Sequence, residues 1–452
     1  MEGTEDNFIS LNTINTFLLT VVLALLGFYL FGPKKVPSEA SSPRSSSFHS
    51  SSSDTNLFQY SSDMQTREIY RIVITGGPCA GKTTALTKVA SEMRERGFNV
   101  FIVPEAATLL MKGGALINLE SIDAAGQIEF QTNLMHLQMA LEDTFTEIAS
   151  STKRKSIILC DRGLMDGSAY IPSELWQALL DERGWTAVHL RDRRYEAVIH
   201  MVTAANGAED YYTFANNEAR YEGLESARQV DYSLQESWIG HPHFTIIDNF
   251  NSKDFKEKIN RCVQHVCRYV GIPVPTQYFR KYLVKNESFD EKDIPSGIKH
   301  VKIYIEEVFL SSTDDIIDKI QKRGQSGCYI YTHVIRNKEV NYEYSVSKCQ
   351  ITSQEYMKLI KKKDPTRKPV RRVRRCFIFK GEYFTLDYFS NVKNGLWILR
   401  VASEKDEKDI MFPPFVEVIR NIKDDPGYNI HKLAKLNWYP SHQDKHYFME
   451  DY

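Results

Sequence analysis

Apolar and polar positions fall into three textures along this 452-residue chain. Residues 17–31 are almost wholly apolar, and no charge occurs between Asp6 and Lys34. With its uncharged flanks this segment approaches the roughly 20 residues that cross a bilayer, and it predicts an N-terminal hydrophobic helix. Short, nearly all-apolar runs follow at 69–75, 98–103, 155–160, 197–201 and 243–247, and each predicts a strand. The stretches 85–96, 121–150 and 253–269 predict helices; in the first, Leu86, Val89, Ala90 and Met93 recur at helical spacing. Apolar strands separated by helices imply a parallel sheet covered on both faces. Gly271-Ile272-Pro273-Val274-Pro275 breaks this pattern. Beyond it, alternating, aromatic-rich runs at 278–284, 302–309, 329–335, 371–380 and 396–402 predict an antiparallel sheet or barrel.

These textures divide the chain into an anchor segment at 1–35, a linker at 36–66, an α/β domain at 67–272 and an α+β domain at 273–452. The linker is Ser-rich, carries Pro37 and Pro43, and has little to bury, so it is expected to be disordered. A flexible tether of that length reaches on the order of 30 Å.

The strongest chemical signal follows the first strand. Gly76, Gly77, Pro78, Cys79, Ala80, Gly81, Lys82 and Thr83 fit the G-x-x-x-x-G-K-[ST] phosphate loop, and Thr84 continues into the helix. A strand, a glycine turn and a helix start aim backbone N–H groups at phosphate. Lys82 is expected to reach the β/γ-phosphates and Thr83 to hold Mg²⁺. Asp161, at the end of the third strand, is the candidate carboxylate for the same ion. Glu105 could accept a proton from a substrate hydroxyl, bind a ribose, or merely cap a helix. Arg162 could meet a phosphate or pair locally. Arg220 and Arg228 lie eight apart in a polar helical stretch; they could close over a γ-phosphate or sit on a solvated face.

Composition narrows the setting. Hydrophobic residues make up 42% of the chain and the formal net charge is −1, which fits a globular protein and names no partner by charge. Seven scattered cysteines lack metal-ligand or framework spacing and read as reduced thiols. Glu2, Glu5 and Asp6 make the start acidic, unlike a cleavable signal peptide. Lys34, Lys35 and Arg44 after the apolar segment place the bulk of the chain in the cytosol, behind a single membrane anchor. A tail that does not insert is the other reading.

The phosphate loop with Thr84, Pro104-Glu105-Ala106-Ala107, Asp161-Arg162-Gly163 and Thr203-Ala204-Ala205-Asn206-Gly207-Ala208-Glu209 resemble the nucleoside-kinase-like NTPase domain shared with nicotinamide-riboside kinases. Gly240-His241-Pro242-His243 and Ile247-Asp248-Asn249 continue the likeness. From about Tyr70 to Lys435 the chain resembles the TRPL translocation defect protein family. That resemblance implies a GTP- and phosphoinositide-binding trafficking factor with a cargo protein and a membrane as partners. GTP rests on the resemblance alone, with ATP open, because no guanine-reading Asn-Lys-x-Asp follows the fifth strand.

Arg280-Lys281-Tyr282-Leu283-Val284 and the run from Val418 to Ile430 resemble the CYTH, or triphosphate-tunnel, fold, which implies a barrel lined with basic residues. Aligned on Lys281, that family's two metal-binding Glu positions are Gln277 and Phe279, so a pocket that binds phosphate without splitting it is expected. Lys281, Lys361, Lys362, Lys363, Arg371, Arg372, Arg374 and Arg375 are the candidate contacts to phosphoinositides or other anionic lipid. Near an anionic leaflet each cation adds about 1 kcal/mol. Nuclear import, nucleic-acid contact and a solvated strand face compete for the same run, though no paired nucleic-acid module accompanies it. The functions in view are a nucleotide-regulated membrane adaptor, a nucleoside- or riboside-type kinase, and a triphosphatase, the last opposed by the missing Glu pair.

Overall fold

The first sheet follows from its strands' apolar composition. In the computed structural model β1 (Ile69–Gly76), β2 (Asn99–Val103), β3 (Ser156–Asp161), β4 (Ala197–Met201) and β5 (Phe244–Ile247) form a five-stranded sheet in the order β2-β3-β1-β4-β5. Every pairing is parallel. The connecting helices are α1 (Lys82–Glu95), α2 (Ala106–Lys112), α3 (Ala124–Ser151), α4 (Ser173–Arg183), α5 (Leu224–Ser237) and α6 (Phe255–Tyr269). The structure describes residues 69–444 apart from 116–120, 153, 213–222, 251, 253, 275–278, 286–290, 313–315, 339–343, 393–394, 404 and 442. The anchor segment, the Ser-rich linker, Arg220 and Gln277 lie outside the described residues. Among the described residues no helix is long and apolar enough to cross a membrane.

Successive side chains of a strand point to opposite faces, so β1 serves two layers. Ile72 and Ile74 bury against Leu86, Val89 and Met93 of α1 and Ile259, Cys262 and Val266 of α6. Val73 turns the other way, into a core with Met135 of α3, Leu179 of α4 and Trp238. Each fully buried Val, Leu or Ile contributes roughly 1.5–3 kcal/mol, which favours apolar side chains on both faces of these strands.

The second sheet has nine antiparallel strands: β6 (Phe279–Val284), β7 (His300–Ser312), β8 (Ile316–Gln325), β9 (Cys328–Lys338), β10 (Tyr344–Ile351), β11 (Val370–Phe379), β12 (Glu382–Tyr388), β13 (Trp397–Ala402) and β14 (Val418–Asn421). A short helix α7 (Ser353–Leu359) follows β10, and α8 (Ile430–Leu433) follows β14. The order is β10-β9-β8-β7-β11-β12-β13-β6-β14, so β10 and β14 are edges that do not meet. The barrel expected from the alternating pattern is therefore corrected to an open sheet. Closure requires edge strands that can pair along their length. Here β14 has four residues and its register against β6 shifts between Val418 and Arg420.

The two sheets share one hydrophobic core. Val73, Ile158, Val198, Trp238 and Phe244 pack in the same cluster as Ile303, Ile305, Cys376, Ile378 and Tyr383. Charged groups reinforce the joint. Arg191 and Asp192, on the turn Val188–Asp192, are buried; Arg191 donates to the Ile239 carbonyl at 2.6 Å and to Gln325 of β8 at 3.2 Å. Arg323 of β8 pairs with Asp192 and donates to the Gly240 carbonyl, while the Gly240 amide donates to the Tyr383 hydroxyl at 3.1 Å.

Candidate nucleotide site

The loop between β1 and α1 owes its path to two glycines. A Cβ on Gly76 would stand 2.0 Å from the Met201 carbonyl oxygen of β4, so the backbone passes where no side chain fits. Gly81, at φ 89, takes the left-handed turn that starts α1. Between them Cys79 also has positive φ, 54. Lys82 lies at the first position of the helix, and its ammonium donates to the carbonyls of Gly76 at 2.9 Å and Gly77 at 3.0 Å. Burial, and then the Arg162 guanidinium, push the Lys82 ammonium down to about 8. Thr83 and Thr84 are exposed on the first turn.

The loop is pinned from α5. Asp231 Oδ1 accepts from the Gly77 amide at 2.9 Å and the Thr203 amide at 3.0 Å, and lies 3.1 Å from His200 Nε2. Its Oδ2 accepts from Gln235 at 2.9 Å. Burial alone would raise the Asp231 carboxyl, but the His200 ring and these donors hold it below the usual carboxylate range. Thr203 Oγ1 donates in turn to the Pro78 carbonyl at 2.5 Å.

On the other side stand the carboxylates. Asp161 Oδ1 is buried and has no hydrogen-bond partner. Burial pushes the Asp161 carboxyl up to about 6, against the pull of Lys82 and with the push of Glu105. Arg162 follows with a left-handed backbone, φ 70, a strained conformation of the kind that persists only where the surroundings enforce it. Its Nε donates to Glu105 Oε1 at 2.5 Å, its Nη1 lies 3.8 Å from Asp166 Oδ2, and the Tyr170 ring lies 5.8 Å below the guanidinium. Glu105 stands just before α2 without capping its amides through the side chain, and accepts from Thr108 Oγ1 at 2.6 Å. Burial would raise its carboxyl, but Arg162 and the Thr108 hydroxyl keep it lowered and ionised. Asp166 in turn accepts from Thr75 Oγ1 at 2.6 Å and Trp238 Nε1 at 2.7 Å.

Lys82, Glu105, Asp161 and Arg162 thus gather around one loop. Arg228 does not join them: it donates to the Ala205 carbonyl at 2.6 Å and pairs with Glu209 and Glu225, beside the turn after β4. Sequence reading missed Asp231 and Asp166, which support the loop from distant segments, and noted Thr203 only as part of a motif, without this role. No local motif marks Asp231 or Asp166; the Asp231 side chain is legible only as one more polar residue of α5.

A phosphate loop implies magnesium, and the residues present fit it. An orphaned, buried carboxylate oxygen on Asp161, within the field of Lys82, suits a hydrated cation. Among the described residues no three His, Cys, Asp or Glu side chains group to hold a metal unaided, so phosphate and water would complete the shell.

The candidate lipid contacts do not form one surface. Lys361, Lys362 and Lys363 are exposed, and Arg371 is exposed and paired with Glu306 at 2.9 Å. Arg372 is buried against Glu307, and Arg374 grips Asp387 through bonds of 2.7 and 2.9 Å. Arg375 lies 5.5 Å from the Trp397 ring. The run in sequence splits because alternate strand residues face opposite ways. Across the sheet Arg374 stands opposite Asp387, Thr385 opposite Arg400, and Arg400 opposite Lys281. Burial, and then Arg400, push Lys281 down to about 8; it donates to Asn429 Oδ1 at 3.2 Å.

No curated protein matches this chain. A solved inorganic triphosphatase is similar over 35% of this chain and 97% of its own, at 19% identity and a TM-score of 0.28. The thymidylate kinase of Ehrlichia chaffeensis is similar over 44% of this chain and 98% of its own, at 16% identity and a TM-score of 0.30. The family described as AAA domain matches residues 71–258, and with the loop geometry this marks that part of the chain as a nucleotide-binding P-loop domain of the α/β class.

Proposed function

We propose that the chain is a magnesium- and nucleotide-dependent phosphotransferase of the small-molecule kinase type, acting on a nucleoside- or riboside-like hydroxyl. The observation that carries this reading is the pairing of Lys82 and the unpartnered Asp161 oxygen with an ionised Glu105 one strand away. Lys82 would exchange its two carbonyl partners for phosphate oxygens. Thr83 and Asp161 would hold the magnesium ion, which neutralises phosphate charge when bound. Glu105 sits where an acceptor hydroxyl could pass it a proton, and Arg162 fixes its carboxylate in place. The base specificity, GTP or ATP, is left open by these residues.

The test is single-turnover transfer of labelled γ-phosphate to nucleoside and riboside acceptors. Glu105→Gln should cut transfer at least a hundredfold while nucleotide affinity changes little. Transfer at full rate by that variant, or no transfer to any acceptor by the native chain, removes the kinase reading.

A second reading makes the loop a GTP sensor and the antiparallel sheet a receptor for phosphoinositide headgroups, in a membrane-trafficking regulator. The crowding of cations on one sheet face favours it: Arg372, Arg374 and Arg400 all pair with Asp387, Lys281 stands opposite Arg400, and burial pushes Arg400 down to about 10. Vesicles with and without phosphoinositide separate the readings. Lipid binding lost in Lys281→Ala, with no phosphoryl transfer by the native chain, selects the sensor.

A further inference from the structure

The reacting end of a bound triphosphate has Asp161 and Glu105 to face, both on the β2–β3 side of the loop. The sugar and base must then leave on the opposite side, over the carboxyl ends of β4 and β5. Among the exposed aromatic side chains that follow these strands, two pack against glycines of the loop and the turn after β4. Phe250, just past β5, is 70% exposed, and Phe255, at the start of α6, is 51% exposed. A singly exposed ring is ordinary on a protein surface; what distinguishes these two is their contact with the phosphate loop and the turn after β4.

Both rings are seated on glycines. A Cβ at Gly81 would fall 2.5 Å from the Phe255 ring, and one at Gly207 would fall 2.7 Å from the Phe250 ring. Phe255 therefore lies directly on the residue before Lys82, and Phe250 on the turn after β4. The residues flanking the two rings, Asn249 and Lys258, are held from inside. Asn249 Nδ2 donates to the carbonyls of Thr203 at 2.8 Å and Asn206 at 2.7 Å, and its Oδ1 accepts from Lys258 at 2.7 Å. Lys258 is buried and also donates to the Val202 carbonyl at 2.6 Å. Asn249 is committed to the scaffold through both its side-chain nitrogen and its side-chain oxygen. Both rings keep exposed apolar surface at this end of the sheet.

We propose that Phe250 and Phe255 form a stacking platform for the nucleobase, one that positions the nucleotide without selecting its base. This rests on the nucleotide reading of the loop and adds to it a subsite that tolerates either base. Every base has a flat π face, so stacking is tolerant of identity where hydrogen bonding is not.

The experiment is calorimetry on the full chain with magnesium and, in turn, ATP, GTP and inorganic tripolyphosphate, which has no base. The native chain should bind all three, with ATP and GTP within about threefold of each other. The double variant Phe250→Leu/Phe255→Leu keeps apolar packing on both glycines but loses the flat faces. It should bind both nucleotides about tenfold or more weakly and tripolyphosphate unchanged; Phe250→Trp/Phe255→Trp should restore the nucleotides. Unchanged nucleotide affinity in the Leu variant overturns the platform, as does an equal loss for tripolyphosphate, which would make the rings mere supports of the loop. A strong preference of the native chain for one base overturns the tolerance. A native chain that binds tripolyphosphate but shows no effect of the rings sinks the platform alone; one that binds none of the three sinks the loop reading itself.

Discussion

The Asp231 carboxylate holds the amide of Gly77 at 2.9 Å across 154 residues of sequence. The same oxygen takes the Thr203 amide, so one buried acid sets the spacing between the phosphate loop and the turn after β4. A Cβ on Gly77 would stand 2.7 Å from that oxygen, which leaves the loop no room to move inward.

Asp231→Ala should therefore act at a distance. It strands two amides, a Gln235 amide group and the His200 ring in a water-free interior, at a cost of about 3–5 kcal/mol in urea unfolding. Triphosphate affinity should fall as well, although Asp231 is not expected to touch phosphate. Asp231→Asn, which keeps one acceptor oxygen, should lose less on both measures.

Asp161 should trade stability for its role. Its carboxyl is raised from 3.8 to about 6, so between those values the native state holds more protons than the unfolded one and stability falls as pH rises. Above about pH 6 the full penalty is present, at most about 3 kcal/mol. Asp161→Asn should raise the Tm of the nucleotide-free chain at pH 7.5, and the gain should vanish near pH 4. Calorimetric scans across that range decide it.

Lys82 predicts a proton count. Its ammonium is lowered from 10.5 to about 8, so at pH 8.5 much of the nucleotide-free population has a neutral amine. Triphosphate would draw the proton back. Binding at pH 8.5 should take up a fraction of a proton, and binding at pH 6.5 almost none. Calorimetry in buffers of different ionisation enthalpy measures this, and Lys82→Met should abolish both the binding and the uptake.

The joint between the sheets has its own signature. Asp192 lies between Arg191 and Arg323, and burial would raise its carboxyl were the two guanidiniums not holding it lowered. Asp192→Ala leaves two buried cations without their carboxylate and should cost about 3–5 kcal/mol. Because Arg323 belongs to β8, the variant should expose amides of both sheets together in hydrogen exchange rather than those of one alone.

Much of the α/β part was legible in the sequence because its elements bury whole faces. The apolar positions of α1 expected from spacing, Leu86, Val89, Ala90 and Met93, are all buried against β1. In the antiparallel sheet legibility failed strand by strand. β8, β10, β12 and β14 went unread. β8 reads Ile-Ile-Asp-Lys-Ile-Gln-Lys-Arg-Gly-Gln, and its Arg323 and Lys319 are turned inward onto acids rather than out to water. A face that buries charge by pairing it has no hydrophobic alternation to detect. For the same reason the dense basic run suggested one surface, whereas Arg372 and Arg374 are neutralised by Glu307 and Asp387, 65 residues before the one and 13 after the other.

Short-range order along the chain was sufficient to settle the strand, the glycine turn, the lysine and the helix that make a phosphate loop, since the positive φ at Gly76 and Gly81 and the helix's first turn are local conformations, even though distant groups crowd both glycines. Three matters waited for tertiary structure: which acids brace that loop, which cations stay available, and whether the second sheet closes. Each depends on groups far apart in sequence meeting in an interior where an unpaired charge is too costly to leave, and no local pattern encodes such a meeting.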